Sequence, residues 1–172
     1  MMNRLLVLGI GNSIYGDDGV GVHVVTALRE QGALPIGTVV IDGGTSGLSL
    51  LPAVAEAEAL IVVDAVDAGA EPGSVHVLRG ADLYASLVHL SVHQVGTADL
   101  LGAARLTGAL PQDVVLVGVQ PADLGPGVGL TEAVAAALPE AIGTVRRLCH
   151  QMVGDHGSAS ASSTPVSGSP RY

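Results

Sequence analysis

The sequence predicts an α/β fold, specifically a three-layer α/β/α sandwich around a mostly parallel, five-stranded twisted sheet with one antiparallel strand. Short apolar runs alternate along the chain with helical patterns, which favours a sheet covered by helices. The 172 residues are 48% hydrophobic but include neither Phe nor Trp. The core must therefore consist of Leu, Val, Ile and Ala, which suit a buried parallel sheet. A chain of this length suits a single domain.

Five apolar runs predict the strands, and the connections between them predict their directions. The first three strands are separated by helical patterns, so they should be parallel. The fourth follows the third through residues 69–73, a connection too short for a helical crossover, and should be antiparallel. The predicted strands are Leu5–Ile10, Thr38–Asp42, Ala59–Asp64, Ser74–Leu78 and Val114–Val119.

Helices are predicted where apolar residues recur at helical spacing. The first places Val20, Val24 and Leu28 on one face and ends near Gly32. The last has Thr131 as its N-cap and runs to about His150. Three further helices are predicted at Leu48–Glu58, Ala81–Leu90 and Val95–Leu106.

The composition changes at Gly154. Residues 154–172 are mostly Gly, Ser, Ala and Pro with few large apolar side chains. Such a segment cannot bury enough surface to offset the conformational entropy lost on folding. We therefore predict one folded domain, residues 1–153, followed by a disordered tail, residues 154–172.

Charge and cysteine content exclude several classes of protein. The net charge is −9 and none of the seven basic residues is Lys, which argues against a nucleic-acid partner and disfavours anionic membranes. A single cysteine, Cys149, rules out an intramolecular disulfide and fits a reducing compartment. The apolar run Leu5–Leu8 is too short for a signal peptide or a membrane span. We expect a cytoplasmic protein without membrane insertion.

The loop after the first strand combines two glycines with two adjacent acids. Gly9 and Gly11 suggest a phosphate cradle, but Asp17 and Asp18 would repel a phosphate placed there. The dinucleotide fingerprint also fails, because it requires a glycine where the chain has Ile14. The loop therefore favours a cation, and a metal ion is the first candidate. Walker, nucleophile-elbow and zinc-helix motifs are missing from the sequence.

Polar residues near the ends of the predicted strands suggest where that cation would bind. Ligands of open α/β sheets collect at the carboxyl ends of parallel strands. Asp18, Asp64 and His93 could converge there, and two carboxylates with one imidazole suit a divalent transition metal with open coordination positions. Each residue also has a structural interpretation, since either aspartate could cap a helix or close a turn and His93 could be a hydrogen-bonded structural histidine.

The ordered set of motifs resembles the maturation endopeptidases of [NiFe] hydrogenases. The resemblance covers nearly everything from Leu5 to the helix after Thr131, and the motifs occur in the order of the family. The matching segments are Leu8–Asn12, Asp17–Gly21, Asp42–Thr45, Ile61–Ala65, His93–Gly96, Val117–Pro121 and Gly129–Thr131.

The resemblance implies a phosphorylase/hydrolase-like fold and an activity. Such endopeptidases remove a C-terminal peptide from the hydrogenase large-subunit precursor after nickel insertion. The implied metal-binding and catalytic residues are Asp18, Asp64 and His93. The precursor supplies the nickel, Cd or Zn could substitute in vitro, and no organic cofactor is implied. The monomer is the expected form. The residues implied in substrate recognition are Asp42, Gly43, Gly44 and Thr45.

Three points stay open at the level of sequence. Asp17 could replace Asp18 as the ligand, since Asp18 is one methylene shorter than the glutamate found in some family members. The metal could serve only in recognition, or it could also polarise the scissile carbonyl or activate a water, with an aspartate as general base. The alternatives to the protease are a self-contained metal-dependent peptidase or hydrolase and a nucleotide- or phosphate-binding module.

Overall fold

The computed structural model describes residues 4–88 and 95–159. Two short 3₁₀ turns, Gly16–Gly19 and Gly47–Leu50, precede the first and second α-helices. The strands are β1 (Leu5–Ile10), β2 (Thr38–Gly44), β3 (Ala59–Ala65), β4 (Val75–Arg79) and β5 (Asp113–Val119), and the α-helices are α1 (Val20–Gln31), α2 (Leu51–Ala55), α3 (Gly80–Val88), α4 (Val95–Leu106) and α5 (Glu132–Ala159).

The five strands form one sheet in the order β2-β1-β3-β5-β4. The pairs β1/β2, β1/β3 and β3/β5 are parallel, whereas β4 pairs with β5 in the antiparallel direction. The mostly parallel sheet with one antiparallel strand is therefore confirmed. The short connection of residues 66–74 accounts for the reversal of β4, because it contains no crossover helix.

Side chains along β1 alternate between two cores, which explains the three layers. Leu5 and Val7 pack in a cluster with α1 and α5, whereas Leu6 and Leu8 pack in a second cluster with α2, α3 and α4. Since β1 lies between β2 and β3, the strand order reverses beside it. Ligand sites of α/β sheets form at this kind of switch point.

Two predicted helices differ from the structure in length. The segment predicted as Leu48–Glu58 forms a 3₁₀ turn and only the short helix α2, which ends at Ala55. The last helix continues to Ala159 rather than ending near His150, so it includes the first six residues of the predicted tail. The rest of that tail lies outside the described residues, and the domain boundary stays a prediction. Within the described ranges, no helix combines the length and the hydropathy needed to cross a membrane.

Candidate active site

A cavity of about 140 Å³ opens at the carboxyl ends of β1, β2 and β3. This is the edge of the sheet where the strand order reverses. One isoleucine, three glycines, two aspartates and two threonines line its wall. The lining residues are Ile10, Gly11, Asp18, Gly44, Thr45, Asp64, Gly96 and Thr97.

Asp18 reaches the cavity because the chain folds back sharply after β1. Gly11 has a φ of 136°, and a Cβ atom built there would lie 1.8 Å from the carbonyl oxygen of Asp18. Only glycine permits this approach. The backbone N–H of Asn12 donates to Asp18 Oδ2 at 2.8 Å. The glycines of this loop thus serve close backbone packing, which places an acid where a phosphate loop would hold an anion.

Asp64 enters the same cavity from the end of β3. Its side chain is 3% exposed. Oδ1 accepts the backbone N–H of Ala65 at 2.8 Å, and Oδ2 accepts the hydroxyl of Thr97 at 2.6 Å. Burial raises the pKa of Asp64 to about 8, the Thr97 hydrogen bond opposes that rise, and the charge of Asp18 adds to it.

A positive charge would stabilise the ionised forms of the two buried acids that share this small cavity. Asp18 is 6% exposed and Asp64 is 3% exposed, so water screens their repulsion poorly. A divalent cation bound between them would relieve both the repulsion and the desolvation. Carboxylate oxygens are suitable donors for such an ion. The structure thus brings together two of the three residues that the sequence predicts as metal ligands.

The third predicted ligand, His93, lies outside the described residues. Among the described residues, no three His, Cys, Asp or Glu side chains form a group that could hold a metal ion. The convergence of His93 on Asp18 and Asp64 therefore stays a prediction. In the chain it stands four residues before Thr97, which does reach the cavity.

The segment Asp42–Thr45 forms the neighbouring wall at the end of β2. Gly44 and Thr45 line the cavity. Asp42 Oδ1 accepts the backbone N–H of Gly44 at 3.0 Å, which fixes the turn. Gly43 is buried, and a Cβ atom there would come within 3.1 Å of the Gly9 carbonyl oxygen. Two of the four predicted recognition residues thus face the cavity, and the other two shape the turn that presents them.

Asp17, the sequence's second candidate ligand, has a different set of contacts. Oδ1 accepts the backbone N–H of Thr131 at 2.7 Å. Oδ2 accepts the Thr131 hydroxyl at 2.9 Å and the N–H groups of Ala122 and Asp123 at 2.8 and 3.1 Å. Burial alone would raise the pKa of Asp17, but these donors together hold it below the ordinary value. Its carboxylate ties the first loop to the segment before α5.

Two buried polar residues near this edge were not singled out from the sequence. Thr97 orients Asp64, as described above. Gln120, after β5, accepts the N–H groups of Ala68 and Ala70 at 2.8 and 3.2 Å and donates to Asp67 Oδ1 at 3.1 Å. Gln120 directly follows the buried apolar run of β5, and this position is the sequence signal that could have identified it. Thr97 lies in the first turn of α4 and not at a strand end, so the rule that ligands collect at strand ends does not point to it.

Comparison with known proteins gives one consistent result. A family model described as "Hydrogenase maturation protease" matches residues 22–148. The chain is 45% identical over 142 residues to the hydrogenase expression/formation protein HupD of Rhodobacter capsulatus, covering 81% of this chain and 68% of that protein. It is 40% identical over 141 residues to the hydrogenase 2 maturation protease of Escherichia coli K12, covering 81% and 86%.

The fold is similar to solved structures as well. The hydrogenase maturating endopeptidase HybD from E. coli superposes with a TM-score of 0.79 at 38% sequence identity. The match covers 87% of this chain and 93% of that one.

Proposed function

The chain belongs to the hydrogenase maturation protease family, and on that basis we propose that it removes a C-terminal peptide from a [NiFe] hydrogenase large-subunit precursor after nickel insertion. It is a peptidase by family. The observation that carries the proposal is the pairing of Asp18 and Asp64 in one buried cavity at the switch point of the sheet. This pairing provides a place for a cation that the substrate itself delivers.

In this proposal nickel is part of the substrate. The precursor holds the ion through its own cysteine thiolates, and Asp18, Asp64 and His93 bind its remaining coordination positions. Binding through the ion places the scissile bond against the wall formed by Gly44 and Thr45. A precursor without nickel offers no cation, so nothing would offset the cost of ionising the buried Asp64 beside Asp18. Cleavage then follows metal insertion and never precedes it.

The decisive experiment compares nickel-loaded and nickel-free precursor in a purified processing reaction. We expect cleavage of the loaded form and none of the nickel-free form. Equal cleavage of both would overturn the proposal. Metal analysis of the purified protease belongs to the same experiment, because a tightly held stoichiometric ion would favour a self-contained metal-dependent hydrolase.

Single variants test the site residues in the same reaction. Asp18→Asn, Asp64→Asn and His93→Ala should each reduce processing strongly, because each removes one ligand. Asp99→Asn is the matched control, since Asp99 is an exposed aspartate on α4, the helix that also carries Thr97. If all three site variants kept full activity while folded, the assignment of the site would be wrong. Adding Cd or Zn to the loaded and nickel-free precursors tests whether other ions can serve.

We also propose that the enzyme acts in the cytoplasm as a monomer. The acidic net charge and the single, buried Cys149 support a reducing compartment with no disulfide requirement. Size-exclusion chromatography with light scattering would test the monomer, and a concentration-independent dimer would contradict it.

A further inference from the structure

We propose that residues 12–17 and 122–131 form a preformed docking edge that holds the precursor polypeptide beside its cleavage site, with Ile14 and Val128 as its apolar contacts. The inference rests on the proposed function, because it concerns how the same substrate is held. It assigns a binding role to a surface that lies outside the carboxylate cavity.

Backbone hydrogen bonds join the two segments into one unit. The N–H of Gly16 donates to the Gly127 carbonyl at 2.8 Å, and the N–H of Gly127 donates to the Ile14 carbonyl at 2.9 Å. The N–H of Asp17 donates to the Asp123 carbonyl at 3.0 Å. The buried Asp17 carboxylate adds four more hydrogen bonds to the same segment. An edge with this many bonds is ordered before any partner arrives, so binding need not order it.

This ordered unit presents two apolar side chains to solvent. Ile14 is 59% exposed and Val128 is 93% exposed. Residue Val128 directly follows Gly127, whose N–H binds the Ile14 carbonyl, so the two side chains belong to adjacent backbone positions. A single exposed apolar residue is ordinary on a protein surface. Two such residues at the tip of a tightly bonded loop pair make a small apolar contact held in a fixed position.

A groove connects this edge to the carboxylate cavity. A second cavity of about 230 Å³ is lined by Asn12, Tyr15, Asp18 and Thr45. It shares Asp18 and Thr45 with the first cavity. The space beside the acids therefore continues outward along residues 12–15, the segment that carries Ile14.

The occupant of this groove is the precursor chain next to the scissile bond. An endopeptidase must accommodate polypeptide on both sides of the bond it cuts, and a cavity of about 140 Å³ holds little more than one residue. The chain can leave along the second cavity, which is lined by Asn12 and Tyr15. Ile14 lies between these two residues in the sequence, and from there Ile14 and Val128 would contact apolar side chains of the precursor. Burying two such apolar side chains against a partner contributes favourable free energy to binding.

The test is a kinetic comparison of exposed apolar residues at and away from the edge. The double variant Ile14→Ser/Val128→Ser should raise KM for nickel-loaded precursor about tenfold, with kcat changed less than about twofold, because it removes ground-state binding. The control is Ile36→Ser/Leu106→Ser, at positions 83% and 91% exposed. Ile36 precedes β2 and Leu106 ends α4, so both lie away from the carboxyl edge of the sheet. The control should leave KM unchanged.

Two outcomes would overturn the inference while leaving the proposed function intact. One is an unchanged KM in the edge variant, and the other is an equal rise of KM in the control variant. In both cases the unmodified enzyme would still cleave loaded precursor. The result would therefore reject the docking edge and leave the proposed protease function standing. If the unmodified enzyme cleaved neither precursor, the proposed function would fail first. Circular dichroism and thermal unfolding of each variant confirm that these exposed substitutions preserve the fold.

Discussion

Two buried acidic regions lie side by side in this molecule and have opposite electrostatics. At Asp17, hydrogen-bond donors from the segment before α5 surround the carboxylate, and its pKa is lowered despite complete burial. In the adjoining cavity, Asp64 shares a confined space with Asp18, and its pKa rises to about 8 because burial outweighs the Thr97 hydrogen bond. Burial alone does not decide the charge of an acid; the donors aimed at it do.

The number of hydrogen-bond donors around each acid distinguishes Asp17, which stabilises the fold, from Asp18 and Asp64, which we propose bind a cation. The Asp17 region has no need of an ion, because its donors already neutralise the desolvation of the carboxylate. In the cavity, ionising Asp64 carries an electrostatic cost, which its proton avoids below about pH 8 and which a bound cation would offset. Retained cost of this kind is typical of functional sites, which trade stability for activity. Substitutions in the two regions should therefore have opposite effects on stability and activity.

The largest expected effect is on activity, at Asp64. Asp64→Asn removes the charge that a cation needs, while the Thr97 hydroxyl can rotate to accept from the new amide. We expect processing to fall by about a hundredfold or more, on the scale of a lost electrostatic contact at the reacting site. The melting temperature at pH 8 should stay equal or rise, because the variant has no buried carboxylate to desolvate and no charge to be repelled by Asp18. A large loss of stability would show that the two regions do not differ as described.

The next effect is on stability, at Asp17. Asp17→Ala leaves the N–H groups of Thr131, Ala122 and Asp123 without the carboxylate they now bind. Since hydrogen bonds to a charged group contribute about 1.5–3 kcal/mol, we expect the free energy of unfolding to fall by about 3 kcal/mol. Urea unfolding measures this change.

The matched control for that measurement is Asp123→Ala. Asp123 is exposed and belongs to the same segment, but its side chain accepts only the Gly125 N–H among the described contacts, at 2.8 Å. Asp123→Ala should lower the free energy of unfolding by less than about 1 kcal/mol. Equal losses at the two positions would mean that Asp17 has no special part in holding this segment.

The sequence predicts one of these regions and misses the other for a physical reason. Strand ends can be located from short apolar runs, and the carboxyl ends of parallel strands share an edge, so Asp18 and Asp64 could be placed together. The partners of Asp17 are 105, 106 and 114 positions away. Such contacts depend on how the segment before α5 packs on the first loop, and no local pattern records that packing. The sequence therefore left Asp17 as an alternative ligand or a helix cap.

Helix ends were the other weak point of the sequence-based prediction. The Ala/Leu-rich run Leu48–Glu58 has good helix formers, yet only Leu51–Ala55 is α-helical. Pro52 in the first turn lacks an N–H and suits a helix start, while the 3₁₀ turn before it packs Leu50 into the core. In this segment tertiary packing, and not helix propensity, determines how long the helix is. Strand boundaries fared better, because a buried strand needs an unbroken apolar run.

A smaller effect on activity is expected at Thr97, where the cavity depends on a neighbouring helix. Thr97→Val keeps the shape of this buried side chain but removes the hydroxyl that donates to Asp64 Oδ2. Loss of a group that hydrogen-bonds to a metal ligand typically lowers metal affinity or activity by about 10–100-fold. For Thr97→Val we expect a decrease near the lower end of this range, mainly in kcat. Thr97→Ser restores the donor and should recover most of the rate. If Ser and Val behaved alike, the hydroxyl would have no positioning role.

The most direct comparison of the two regions is the pH dependence of stability. In the folded protein Asp64 keeps its proton up to about pH 8, whereas the unfolded chain releases it near the ordinary value of 3.8. The folded state thus holds more protons between these values, and the free energy of unfolding should fall as pH rises through that window. Asp17 has the opposite sign, because its lowered pKa gives stability that is present above its ordinary pKa and lost at lower pH.

The Asp64 contribution can be isolated by subtraction. Groups other than Asp18, which interacts with Asp64, titrate equally in the unmodified protein and in Asp64→Asn. The difference between the melting temperatures of the two proteins therefore reports mainly on Asp64 and on its coupling to Asp18. That difference should move in favour of the variant as pH rises from about 5 to 8, the interval in which the unfolded acid has already lost its proton. A divalent cation should reduce the change by binding the ionised carboxylate. Parallel curves without cation would mean that Asp64 is ionised throughout and that the cavity, like the Asp17 region, already satisfies its acids.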